Sequence, residues 1–275
     1  MMSPSLFLLQ MTSFFYASSF FCHCLSFFGD KPGMSRVAFH LMRIGFLVST
    51  LFFMAEAVNH SAVLPVYQFS QAMSFFAWSL AFVYIALFAK IQNEPFGLVL
   101  TPFLFLLSMI ACFYFYADIK PATVELNIYF ALHIVSVFFA YACLTISFSA
   151  SLLYLSQQRA LKKKKAGTFY HKLPSLEALE KLIFEPMLWG AGLLAIAIMI
   201  GFLWSKSSVD QDWHSVFKTI STYFTISFYA LILGLYYLKK LRGKKVVVMS
   251  LFAFGVLIFS FIGMRLVESI YQWVS

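Results

Sequence analysis

LWGAGLLAIAIMIGFL, residues 188–203, decides the fold. A strand of a membrane barrel alternates lipid-facing apolar with lumen-facing polar residues. Here every position is apolar or glycine, so no such alternation exists. A helix satisfies its own backbone, as a bilayer demands, and roughly 20 apolar residues of helix cross the hydrocarbon core. Working outward, the same reading gives eight spans near 5–28, 36–58, 72–90, 97–117, 126–155, 186–205, 216–238 and 246–270. Composition agrees, with 61% hydrophobic, 20% aromatic and only 11% charged residues. The expected fold is all-α: a polytopic membrane helix bundle of about eight transmembrane helices. A single integral membrane domain over 1–275 leaves no room for a separate soluble one.

Orientation follows from Lys and Arg in short loops. Arg159, Lys162, Lys163, Lys164, Lys165, Lys172 and Lys181 gather between spans 5 and 6, and Lys239, Lys240, Arg242, Lys244 and Lys245 between spans 7 and 8. Lys31 and Arg36 lie between spans 1 and 2. The alternate loops are poorer: 56–71 has neither residue, and in 206–215 Lys206 is offset by Asp210 and Asp212. The rich loops are expected in the cytoplasm and both termini outward. The net charge of +9 then reads as a basic stripe against anionic lipid, with no nucleic-acid partner implied. Without a positive n-region before it, 5–28 reads as a retained span.

Cys22, Cys24, Cys112 and Cys143 all fall in spans. None has the spacing of a disulfide framework. Cys22-His23-Cys24 would splay its thiols about 200° apart on a helix of roughly 3.6 residues per turn, so buried small side chains are expected. Residues 156–185 are the one sizeable extramembrane piece, an amphipathic cytoplasmic linker. In it Ser175 is placed to cap a short interfacial helix carrying Leu176, Leu179, Leu182 and Ile183 on one face. Ser147, Ser149, Ser151, Gly190, Gly192 and Gly201 read as close helix packing. No inverted-repeat transporter pattern is visible.

Ionisable groups inside a membrane are functional candidates by default, and neutral imidazole is a common haem ligand. The histidines fall in two tiers. His23 and His40 belong to the cytoplasmic side, and His60, His133 and His214 to the outer side; His171 sits in the basic linker. Arg265 and Glu268 are spaced to pair on span 8. No HExxH, phosphate loop or Ser-His-Asp order occurs, so an enzyme is not expected.

Several runs resemble the membrane proteins of cytochrome c assembly, the CcsA/HemX-like group. They are Phe75-Phe76-Ala77-Trp78-Ser79-Leu80, Leu132-His133-Ile134, Ala140-Tyr141-Ala142, Leu173-Pro174-Ser175-Leu176-Glu177 and Leu241-Arg242-Gly243-Lys244-Lys245. That group carries a tryptophan-rich outer loop, to which 204–218 is similar at Trp204, Trp213 and Lys218; Val209, Ser215, Val216 and Phe217 stand where Trp, Trp, Asp and Pro belong. The resemblance implies a multi-pass protein of the bacterial inner (cytoplasmic) membrane that binds or conveys haem for cytochrome c maturation, with a partner subunit. Carried over, His133 and His214 would ligate iron, His60 and His40 would be further cofactor-binding residues, and Trp204, Trp213 and Lys218 would hold the macrocycle. The alternative it implies is a HemX-type regulator of tetrapyrrole synthesis that has lost haem binding. An exporter would need a polar track, and no substrate suggests itself.

Overall fold

The computed structural model describes residues 3–29, 31, 33–60, 64–66, 68–88, 94–116, 128–162, 173–205 and 213–274, with backbone alone at 60, 88, 94, 204–205, 213–219 and 262–274. It is built of helices α1 (Pro4–Phe28), α2 (Gly33–His60), α3 (Phe69–Phe88), α4 (Glu94–Tyr114), α5 (Ile128–Lys162), α6 (Leu176–Ser205), α7 (Trp213–Tyr237) and α8 (Lys244–Val274). All eight are long and apolar enough to span a bilayer. The expected all-α membrane bundle is therefore the observed fold.

Helix α1 shows how lipid inverts the usual amphipathic pattern. Ser3 caps it, its side chain accepting from the Leu6 amide, and Pro4 takes the first turn, where its missing N–H costs nothing. Phe7, Phe14, Phe21 and Phe28 recur every seventh residue and face outward. The opposite face buries Thr12, Ser13, Tyr16, Ser19, His23 and Ser26. Small hydroxyl residues let neighbouring backbones approach, and Ser19 donates to the Ala38 carbonyl of α2 at 2.7 Å.

The helices associate in two halves, α1–α4 and α5–α8, joined mainly where α3 and α4 meet α5. The most extensive interface is α5 with α6. Gly190 lies so near Leu144 of α5 that a methyl group there would come within 2.8 Å of that side chain. Ser147 donates to the Ile183 carbonyl of α6 at 2.8 Å and lies 3.3 Å from the Ser250 hydroxyl of α8. The Ser147 hydroxyl thus donates one residue from the Leu182 carbonyl, which Pro186, lacking an N–H, leaves without its usual donor.

One expectation is corrected here. Residues 176–185 are not a separate interfacial helix but the first turns of α6, which runs unbroken through Pro186. Leu179, Ile183 and Met187 form one fully buried stripe across the proline, and this packing outweighs the local break. The Ser175 cap is as expected, its Oγ accepting from the Ala178 amide at 3.3 Å. Helix α5 is likewise longer than the expected span. Its 35 residues extend about 52 Å at roughly 1.5 Å each, against a hydrocarbon core of about 30 Å. Its last turns join the start of α6 and the α7–α8 turn in a knob at the basic end, where Leu153, Tyr154, Leu173, Leu241, Val246 and Val247 are buried together.

Candidate functional site

His133 lies in the second turn of α5, half-buried. Its Nδ1 is 2.8 Å from the Ala197 carbonyl of α6. A carbonyl only accepts, so Nδ1 carries the proton and, in the neutral ring, Nε2 holds the lone pair. The ring packs over Gly201, where a Cβ would come within 3.1 Å of it. Gly201 thus admits the imidazole, and the imidazole ties α5 to α6.

His40 lies elsewhere. It shares the outward stripe of α2 with Val37, Ile44, Leu47, Leu51, Met54 and Val58. The structure does not bring it to His133. The side chains of His60, His214, Trp204, Trp213 and Lys218, and all of His171, lie outside the described residues. So do the side chains of Arg265 and Glu268.

The histidine that burial singles out is His23, 2% exposed on α1. Its ring fills the space where a side chain at Gly97 of α4 would stand, and its Nε2 has no hydrogen-bond partner among the described residues. The sequence held a signal for this. The outward Phe7, Phe14, Phe21, Phe28 heptad turns residue 23 inward. Cys22 and Cys24 on either side are only half-buried.

A second buried group is Glu56, 6% exposed in the bundle of α1–α4. Gln71 Nε2 donates to its Oε2 at 2.9 Å, while Gln71 Oε1 accepts from the Gln68 amide at 3.2 Å. The amide side chain is thereby oriented with its donor toward the carboxylate. The Phe75 to Leu80 run in α3 builds an aromatic ladder. Trp78 stacks on Phe75, Phe82 and Phe46 with centroids 5.6, 5.8 and 5.3 Å away, and its indole N–H donates to Thr50 at 2.9 Å. These rings serve helix packing.

A model described as cytochrome c assembly protein matches residues 66–271. The chain belongs to that family. Within the cytochrome c assembly protein family it is similar to Protein HemX of Brevibacillus brevis, 24% identical over 257 residues that cover 92% of this chain and 93% of that one. It is also similar to Protein HemX of Bacillus subtilis (strain 168), 23% identical over 250 residues, 90% of each. An alignment of 257 residues cannot fit inside 66–271, so the HemX likeness takes in α1 and α2 as well. With this family go a membrane assembly or regulatory role, no enzymatic activity and a place in the bacterial inner membrane.

The described residues do not add up to a haem site. They supply one imidazole at that end of α5, bonded through Nδ1 to Ala197 and packed on Gly201. Among the described residues no three His, Cys, Asp or Glu side chains cluster as metal ligands. An open apolar groove of about 600 Å³ lies between α7 and α8 among the described residues. It is lined by Ile220, Phe224, Phe252, Val256 and Phe259 with two serines, which offer iron no ligand.

Proposed function

We propose that the chain is a HemX-type regulatory membrane protein of tetrapyrrole synthesis, working from its basic end on a cytoplasmic enzyme. What carries this reading is the reach of the HemX likeness across α1 and α2, beyond the part that the family model covers. The ordered knob at the basic end supports it. That knob joins α5, α6 and the α7–α8 turn through the Gly243 amide, which donates to Glu180 at 3.3 Å. The apolar face of 176–187 is spent inside the bundle, so a partner would meet the knob's polar surface. A strain lacking the protein is expected to show altered tetrapyrrole precursor levels, restored equally by the wild type and by His133→Ala. Unchanged precursors in the deletion strain would overturn the reading.

A second reading is favoured by the His133 geometry. Imidazoles that ligate metals commonly donate the other ring N–H to a backbone carbonyl, and His133 does so toward Ala197. On this reading the protein conveys haem for cytochrome c maturation. His133 and His214 are then the ligands, His60 and His40 secondary binding residues, and Trp204, Trp213 and Lys218 the contacts to the macrocycle. Bound haem would supply the iron that these imidazoles ligate. Protein purified after expression with ample haem should then show a Soret band that His133→Ala removes or shifts. A haem-free spectrum counts against this reading and leaves the first intact.

A further inference from the structure

Between α7 and α8 the chain places five cations in seven residues: Lys239, Lys240, Arg242, Lys244 and Lys245, every one exposed. The turn that holds them is firmly built. Lys239 N–H donates to Tyr236 O at 2.9 Å, and the Lys240 and Leu241 amides both donate to Leu235 O, at 3.0 and 3.1 Å. Leu241 is buried as an anchor, and Gly243, at φ +57°, donates its amide to Glu180. Glu177 on α6 is engaged with Lys181 at 3.4 Å.

Two features show that this charge is not incidental. Lys239 sits at φ +58°, in the left-handed conformation that glycine adopts more cheaply at the end of a helix. A cation is held there against the conformational preference. Helix α8 then opens on Lys244 and Lys245 with no acid in its first turn, placing like charge at the positive end of the helix dipole. Glu180, whose carboxylate accepts from the Gly243 amide, is one charge against five exposed cations, so the surface keeps a net positive charge for an outside anion to meet.

The surroundings say which anion. Tyr237 and Leu238 just before the turn, and Val248 just after it, are large apolar side chains facing outward. Cations bracketed by exposed apolar residues at helix ends suit headgroup depth, where tyrosine is also common. We propose that the α7–α8 turn is a binding surface for the phosphate of an anionic phospholipid headgroup. Arg242, Lys244 and Lys245 bind the phosphate, and Lys239 and Lys240 enlarge the field. This proposal does not rest on the HemX-type reading or on haem.

The test uses the full chain in neutral detergent, titrated with short-chain phosphatidylglycerol, phosphatidylcholine or inorganic phosphate and followed by native mass spectrometry. Phosphatidylglycerol should bind in preference to phosphatidylcholine. Changing all five cations to Gln should weaken it by about tenfold or more, since each basic residue near a membrane surface contributes appreciably. The control variant Lys31→Gln/Arg36→Gln/Arg43→Gln, on the α1–α4 half, should bind as the wild type does. Lys239→Gly separates binding from folding, because it should raise the melting temperature yet weaken phosphatidylglycerol. Equal loss in the control, equal binding of phosphatidylcholine, or displacement of the lipid by inorganic phosphate would each overturn the proposal.

Discussion

Gly97 and His23 are shaped for one another. A methyl group at Gly97 would fall inside the imidazole, and the ring is otherwise enclosed by α1 and its neighbours. Gly97→Ala should therefore cost about 1–3 kcal/mol, the usual range for overpacking, read as a lower melting temperature in detergent. His23→Ala in the same background should recover part of that loss, because residues in contact couple in a double-mutant cycle. Additive effects would show that the two do not meet. Tyr16 and Gly45 repeat the device one helix away, with a Gly45 Cβ coming within 2.8 Å of the tyrosine ring. Neither cradle was legible in the chain. A glycine announces its freedom in sequence, but the ring it makes room for comes from another helix.

At the scale of the element, α6 departs furthest from its expected bounds, starting at Leu176 where a span from 186 is expected. Proline normally marks a helix boundary, yet Pro186 stands inside α6. In the bundle, Leu179, Ile183 and Met187 carry one buried stripe through it, and the Ser147 hydroxyl donates beside the break. The Ser175 cap, by contrast, was legible because capping is local. The α5–α6 pair is further locked by His133 and Ala197. Interhelical hydrogen bonds in membranes are worth about 0.6 kcal/mol on average and up to roughly 1.7. Ser147→Ala and His133→Ala should each destabilise the protein by an amount in that range, read as a lower melting temperature in detergent. A His133→Ala protein as stable as the wild type would show that the imidazole is not used to join helices.

For the whole molecule, the charge pattern predicts which side each loop occupies. With the four native cysteines replaced by Ser or Ala, Gln211→Cys should react in intact cells with a maleimide that cannot cross membranes. Ala166→Cys should react only after the cells are opened. The reverse pattern would invert the topology and place the knob outside. The division into α1–α4 and α5–α8 belongs to this scale as well. Glu56 and Gln71 meet in the first half, fifteen residues apart in sequence, and nothing in either position alone foretells the pairing.

By itself the sequence determined the eight helices, the basic and non-basic ends, and the kinship carried by runs such as Leu173 to Glu177. Each follows from local composition or order, because a helix in lipid needs only enough apolar residues and internally bonded backbone. Only the tertiary structure decided that the His23 ring packs on Gly97, that His40 faces outward while His133 is bonded to α6, and that α6 continues through its proline. Those outcomes depend on which faces of different helices oppose one another. In a bilayer almost every face is apolar, so hydrophobic periodicity does not reveal the pairing, and close steric fit selects it.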